Sequence, residues 1–172
     1  MKKKDYMDTG EWGKSFDFVN DFNFIAKPLS PKEANIKKYA LHKNGFWYGC
    51  DRERLHIAMD DEMPIMDDGL YEITLKTKGR VIFKKAEDCK FRYPDIDVVW
   101  PAHKDYKEVS GHGLTDLYSK VIRAMEDNTL QVDFVKDIAE SSDCWTAYIY
   151  DKHPGVAFED SNKMALVMPV RM

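Results

Sequence analysis

The chain has 172 residues, enough to bury a hydrophobic core within a single domain. Its formal net charge of −4 and its pI near 5.7 disfavour nucleic-acid binding through a broad basic face. A membrane span needs about eighteen consecutive apolar residues, and the sequence has no such run. Three cysteines without a CxxC pair indicate reduced thiols in a cytoplasmic protein.

The chain is predicted to begin with a flexible arm over residues 1–15, followed by one α+β domain over residues 16–172. Phe22–Ala26 carries closely spaced apolar residues and is predicted as the first strand. Ser30 and Glu33 then match a capping box, with Pro31 at the first helical position, which predicts a helix from Ser30 to about His42. An Asn-Gly pair follows and is interpreted as the signal that ends this helix.

The middle of the chain is predicted to alternate strands with one short helix. Phe46–Gly49 is predicted as a strand, and Asp51 as the cap of a helix over Arg52–Met59. Leu70–Lys76 alternates apolar and polar residues more regularly than any other segment, which predicts a half-buried strand. Arg80–Lys84 is predicted to return beside it. In Leu70–Lys76 the expected buried side chains are Tyr71, Ile73 and Leu75.

The C-terminal half is predicted to combine two helices with strands. Apolar residues at helical spacing predict an amphipathic helix over Thr115–Asp127, with Val121 and Ile122 buried. A second helix is expected over Leu130–Glu140. The remaining segments are predicted as a strand at Asp97–Trp100, a loop at Ser110–Gly113 and strands at Trp145–Tyr150, Val156–Glu159 and Met164–Val170. The predicted fold class is α+β, a mainly antiparallel split β-sheet with packed helices.

Two segments are candidate sites on their residues alone. The aromatic turn Phe46–Gly49 offers a flat apolar wall for a cofactor ring, and core packing is the competing interpretation. Glu159 and Asp160 end a strand, where one carboxylate could stabilise positive charge; a solvated hairpin turn is the competing interpretation. An acidic loop at 60–68 could hold a hard cation but lacks fixed ligand spacing, and no metal site is predicted.

Three segments together resemble the ADP-ribosyltransferase family, similar to its short phage-encoded members of the anti-CRISPR type. Gly45–Met59 resembles the family's nicotinamide-side strand and the polar helix after it. Gly69–Ile82 is similar to its central strand, turn and return strand. Gly155–Asp160 and Met164–Val170 look like its late strand pair. The Glu-x-Glu signature of the family is absent, and Glu159-Asp160 stands near its position.

The resemblance implies a transferase of the glycosyltransferase class, which moves ADP-ribose from NAD to a protein of a host cell. It implies that the nicotinamide pocket is lined by Trp47, Tyr48 and Gly49. It implies that the pyrophosphate meets Lys27 or His42. It implies that the oxocarbenium-like transition state is stabilised by Asp160, or by Glu159 instead.

A second hypothesis is a non-enzymatic phage-type protein that inhibits a host protein by stoichiometric docking. Its interface would use an acidic surface with abundant methionine and aromatic residues. Both hypotheses expect a host protein as the partner, no membrane, no nucleic acid, and a location in the host cytoplasm. A metal-dependent hydrolase built on the acidic loop is a third.

Overall fold

The computed structural model describes residues 5–12, 16–59, 66–87, 91–102, 105–126 and 128–170. Within these residues the chain forms two compact units, Met1–Tyr93 (unit 1) and Pro94–Met172 (unit 2). Whether residues 16–172 behave as one domain stays a prediction. Part of the predicted arm is structured, because a strand lies at Tyr6–Asp8.

Unit 1 is a sheet of antiparallel strand pairs in the order β1-β6-β5-β2-β3-β4. The strands are β1 Tyr6–Asp8, β2 Tyr39–Lys43, β3 Phe46–Cys50, β4 Arg54–Met59, β5 Gly69–Lys76 and β6 Val81–Lys85. The helices of this unit are α1 Thr9–Trp12 and α2 Phe16–Ala26, with a 3₁₀ turn at Ile36–Lys38.

Helix α2 packs on one face of this sheet and supplies much of the core of unit 1. The ring of Phe22 lies 5.3 Å from that of Trp47 and 5.9 Å from that of Phe83. Phe24 stacks on His56 at 4.3 Å, and its carbonyl oxygen lies 2.8 Å from Nδ1 of that histidine. All five residues are buried, so the helix is fixed by aromatic packing.

Strand β5 confirms the prediction made from its alternating pattern. Tyr71 and Ile73 are fully buried, as period-2 alternation requires. Leu75 is only half-buried, because the register with β6 shifts between Ile73 and Leu75. The shift at this bulge re-aims the last part of the strand.

The hydroxyl of Tyr71 makes the stability of unit 1 sensitive to alkaline pH. It donates a hydrogen bond to the carbonyl oxygen of Asp67 at 2.9 Å. Burial, helped by the negative charges of Asp67 and Asp5, raises the pKa of Tyr71 to about 12. The pKa of the unfolded chain is about 10. The folded state therefore holds the proton more tightly, and this contribution is complete below pH 10 and is lost as the pH rises through 12.

We expect the wild-type protein to lose about 2 kcal/mol more unfolding free energy than Tyr71→Phe between pH 9 and pH 12. At pH 9 the variant should be less stable by about 1 kcal/mol, because it lacks the hydrogen bond. Urea unfolding at several pH values measures both quantities. Parallel pH profiles for the two proteins would contradict the assignment.

Unit 2 contains an antiparallel sheet in the order β10-β9-β8-β7, covered on one face by helices. Its strands are β7 Tyr106–His112, β8 Cys144–Tyr150, β9 Val156–Glu159 and β10 Lys163–Val167. Its helices are α3 Ile96–Val99, α4 Gly113–Met125 and α5 Val132–Ala139. The three C-terminal strands and the two longer helices confirm the predicted elements, with ends moved by at most three residues.

Helix α4 packs on β7 at a glycine. Leu117, Val121 and Met125 are buried, which confirms the predicted apolar face, while Ile122 is half-buried at its margin. A Cβ added to Gly111 would lie 2.5 Å from the Cα of Leu117. The close approach of helix and strand therefore depends on the missing side chain.

Several predicted elements of unit 1 are wrong. Phe22–Ala26 is helical, because contacts in the core outweigh its strand-like composition. The helix predicted from Ser30 to His42 is a loop, a 3₁₀ turn and strand β2. The helix predicted at Arg52–Met59 is strand β4. Asp51 Oδ1 does accept the N–H groups of Glu53 and Arg54, but it closes a turn between two strands.

Two predicted elements of unit 2 are also wrong. Asp97–Trp100 was predicted as a strand, yet Asp95 caps a short helix there. Ser110–Gly113 was predicted as a loop, yet β7 runs through it to His112, paired with β8. The predicted packed-helix α+β class with an ADP-ribosyltransferase-like split sheet is therefore wrong. Segments interpreted as helices are strands, and the structure is mostly antiparallel sheet with few helices.

Candidate functional site

The residues predicted to bind NAD in unit 1 are part of its packing. Trp47 is fully buried, and its ring lies 5.0 Å from that of His42 and 4.9 Å from that of Tyr71. His42 is also buried, with Nδ1 3.2 Å from the carbonyl oxygen of Asp67 and 3.4 Å from Oδ1 of Asp68. The structure thus brings His42 and Trp47 together, but inside the core.

The other three residues of that set also contact neighbouring backbone or side chains. Gly49 faces α2, where an added Cβ would collide with the carbonyl oxygen of Ile25. Tyr48 points to the opposite face of β3, and its carbonyl accepts a hydrogen bond from the hydroxyl of Tyr93 at 3.0 Å. The carbonyl of Lys27 accepts hydrogen bonds from Arg54 and Lys76.

The two predicted catalytic acids lie in unit 2. Glu159 ends β9, and its charge adds to burial in raising the pKa of Tyr148. Asp160 stands in the β9–β10 turn, where Oδ1 accepts the N–H of Ser161 at 2.6 Å and the N–H of Asp160 bonds the carbonyl of Lys163. The segment thus forms the β9–β10 hairpin turn, and a catalytic role for either acid stays a prediction.

The acidic loop lies partly outside the described residues, namely at Asp60, Asp61 and Glu62. The described part is already engaged. Asp67 Oδ2 accepts a hydrogen bond from Lys85 Nζ at 3.0 Å, and Asp68 Oδ1 accepts one from the N–H of Asn44 at 3.0 Å.

Helix α4 presents two exposed basic side chains. Lys120 and Arg123 are exposed one turn apart. Lys120 Nζ donates to Asp116 Oδ2 and to the carbonyl of Ser110, both at 2.8 Å. The hydrogen bond from Lys120, together with the one from the N–H of His112, lowers the pKa of Asp116. We call Lys120 and Arg123 the α4 basic pair.

A shallow groove lies at the C-terminal end of α4. Its lining residues are Lys107, Ala124, Met125, Glu126, Asn128, Ile149, Tyr150, Asp151, His153, Pro154 and Val156. Lys107 Nζ and Glu126 Oε1 form an ion pair of 2.6 Å, which raises the pKa of the lysine and lowers that of the glutamate. The volume of about 170 Å³ is small beside the roughly 300–1,000 Å³ of small-molecule pockets. It fits one side chain and is too small for a dinucleotide.

Charge is distributed unevenly between the two units. Residues 1–93 contain 18 basic and 16 acidic residues, a net charge of +2. Residues 94–172 contain 8 basic and 14 acidic residues, a net charge of −6. The overall value of −4 therefore hides a weakly basic half and a strongly acidic one.

The fold has clear counterparts among solved structures. The DNA polymerase III subunit beta of Pseudomonas aeruginosa matches 99% of this chain and 67% of its own, with a TM-score of 0.60 and 13% identity. The DNA polymerase III beta chain of Streptococcus pneumoniae matches 100% and 66%, with a TM-score of 0.60 and 10% identity. The Helicobacter pylori beta clamp bound to a DNA ligase peptide matches 90% and 63%, with a TM-score of 0.55 and 11% identity. The chain has a sliding-clamp fold.

The sliding-clamp fold overturns the ADP-ribosyltransferase resemblance. That resemblance depended on short segments, and the helix predicted within one of them, Gly45–Met59, is strand β4 in the structure. Comparison of the sequence with known protein families and with curated proteins finds no match. NAD binding by the residues named for it stays an untested prediction.

The predictions of function and partners change with the fold. ADP-ribosylation, anti-CRISPR activity and docking on a host protein are wrong as predictions, because the fold is that of DNA sliding clamps. The prediction that nucleic acid is not a partner is overturned for the same reason. It treated the net charge as an average over the whole chain. Across the described ranges, no helix is long and apolar enough to cross a membrane.

Reasoning from the sequence alone missed the α4 basic pair and the groove. The pair was within reach, because the predicted helix Thr115–Asp127 already put Lys120 and Arg123 on its polar face. The groove was not, because it is made by the end of α4, the start of β7 and the turn after β8, which only the folded chain brings together.

Proposed function

We propose that this chain is a sliding-clamp subunit that encloses duplex DNA and acts as a processivity factor for a DNA polymerase. The observation that carries the proposal is the fold, which is shared over 99–100% of the chain with two DNA polymerase III beta subunits.

The net charge of this chain is better suited to enclosing DNA than to binding it tightly through phosphate contacts. A protein that holds DNA by phosphate contacts needs several lysines and arginines, and its affinity falls steeply with salt. An acidic chain with few basic side chains on its helices is poorly suited to that. A closed ring holds DNA by topology and needs only weak contacts, which also permit sliding. Because the chain aligns with about two thirds of a clamp chain, we expect it to close a ring with further copies.

The α4 basic pair is the proposed contact between the helix layer of unit 2 and the DNA backbone. Lys120 and Arg123 are exposed on one helix, so both can approach phosphates without distorting the fold. The bond between Lys120 and Asp116 keeps the lysine contact weak, as sliding requires.

A bead-tethered linear duplex tests enclosure without a loading factor. The protein threads over the free end, the end is then blocked by a bound protein, and the beads are washed at high salt. We expect protein to stay on blocked duplex, to wash off unblocked duplex, and to leave when a restriction enzyme cuts the blocked duplex. Sedimentation should give a multiple of the 20.1 kDa chain mass. Equal loss from blocked and unblocked duplex would overturn the proposal.

Reversing the charge of the α4 basic pair should reduce threading. For the double variant Lys120→Glu, Arg123→Glu we expect several-fold less protein loaded at low salt. The slope of log loading against log salt should fall by about 2, because two phosphate contacts are lost. Once trapped, the variant should resist salt as the wild type does. The control is Lys152→Glu, an exposed lysine in the turn after β8. An equal effect of the control would reject this helix as the contact.

A further inference from the structure

The face of the unit 2 sheet opposite its helices carries a cluster of tyrosines. Gly111 and Ala147 face α4, so their neighbours of the other parity point away from it. Tyr106 lies opposite Tyr150, and Glu108 opposite Tyr148, in the β7–β8 register. We call Tyr106, Glu108, Tyr148, Tyr150 and Glu159 the tyrosine patch.

The rings of the tyrosine patch stand at steep angles to one another. Tyr106 lies 5.2 Å from Tyr148 at 88° and 5.9 Å from Tyr150 at 66°. Tyr106 is 48% exposed, and the other two rings are half-buried. Several ring faces and edges therefore meet at one solvent-facing spot.

Carboxylates flank these rings. Glu159 lies opposite Thr146, diagonal to Tyr148, and its negative charge adds to burial in raising the pKa of Tyr148. Glu108 lies directly opposite Tyr148 on β7. Unit 2 as a whole is strongly acidic, so the surroundings add to the negative potential. Aromatic faces beside carboxylates attract a flat cation and repel phosphate.

We infer that the tyrosine patch is a docking site for an arginine side chain presented by a basic segment of a protein partner. The guanidinium stacks on a tyrosine ring while its N–H groups donate to Glu108 or Glu159. The carboxylates of the patch favour a cation, and a planar guanidinium can use both these carboxylates and the tyrosine rings. This inference goes beyond the proposed function and does not rest on it.

The test titrates a short peptide of alternating glycine and arginine into protein labelled with ¹³C on its tyrosine rings. The matched peptide carries citrulline, which keeps the shape and loses the charge. We expect saturable shifts of the patch tyrosines, with binding of the citrulline peptide at least about 10-fold weaker. Comparable binding of both peptides, or shifts spread over tyrosines outside the patch, would overturn the inference.

Single variants distinguish the contributions to binding of a tyrosine ring, of its hydroxyl and of the neighbouring carboxylate. Tyr150→Leu should lower the affinity for the arginine peptide by about 2- to 30-fold, the range of cation–π contributions. Glu159→Gln should weaken it several-fold, whereas Tyr148→Phe keeps the ring and should bind nearly as well. The control Tyr39→Leu lies in unit 1 and should have no effect. Tighter binding of oligothymidylate than of the arginine peptide would instead assign the patch to nucleic-acid bases and reject the inference.

Discussion

Replacing Gly49 with alanine is expected to destabilise unit 1 by about 3 kcal/mol or more. The added Cβ would overlap the carbonyl oxygen of Ile25 and press on Cγ of Pro28, 3.3 Å away. The carbonyl belongs to the backbone at the end of α2, and that helix is held by buried Phe22 and Phe24. The clash therefore cannot be relieved by rotating a side chain, and helix and sheet have to separate.

The matched control for this variant is Gly79→Ala. Gly79 is exposed in the β5–β6 turn, and an added Cβ there meets no atom within 4 Å. Its unfolding free energy should stay within about 0.5 kcal/mol of the wild type. Urea unfolding followed by circular dichroism measures both variants. Equal stability of Gly49→Ala and Gly79→Ala would contradict the packing of α2 on β3.

The sequence predicted best the elements whose local pattern agrees with their place in the fold. Strand β5 alternates cleanly, and α4 keeps Leu117, Val121 and Met125 on one stripe, so each period could be read without knowing the neighbours. The strands of the C-terminal region were found for the same reason. In these segments local preference and tertiary burial point the same way.

The helices predicted at Ser30–His42 and Arg52–Met59 failed because capping and turning use the same hydrogen bonds. Asn44 and Gly45 both have positive φ, 54° and 78°, and form the hairpin turn between β2 and β3. An Asn-Gly pair is a strong hairpin signal, which was interpreted as a helix end. Asp51 accepts N–H groups as a helix cap would, but φ of 80° at Arg52 turns the chain back as β4.

The candidate site was less accessible from sequence than the fold. Trp47, Tyr48 and Gly49 look like a cofactor wall because aromatic residues and glycine also build cores. In the structure Trp47 is a buried ring, Tyr48 lies on the opposite face of the strand and Gly49 contacts a helix. These different placements depend on the pairing of β3 with β2 and β4. At 10–13% identity to two clamp chains of the same fold, no motif of that fold was legible in the sequence.

Replacing Trp47 with alanine is expected to lower the unfolding free energy by about 3–5 kcal/mol. The indole is fully buried and contacts the rings of Phe22, Tyr71 and Phe83 at 4.9–5.6 Å. Truncation removes the largest side chain of this cluster and leaves a cavity that four packed elements cannot close. Circular dichroism during urea unfolding gives the size of the effect.

Trp47→Phe tests whether the loss comes from volume alone. Among the described residues, Nε1 of Trp47 has no hydrogen-bond partner, so phenylalanine forfeits no hydrogen bond. It leaves a much smaller cavity, and we expect about 1–2 kcal/mol. If the alanine variant unfolded like the wild type, Trp47 could not be the centre of this core. If both variants lost the same amount, cavity size would not be the cause.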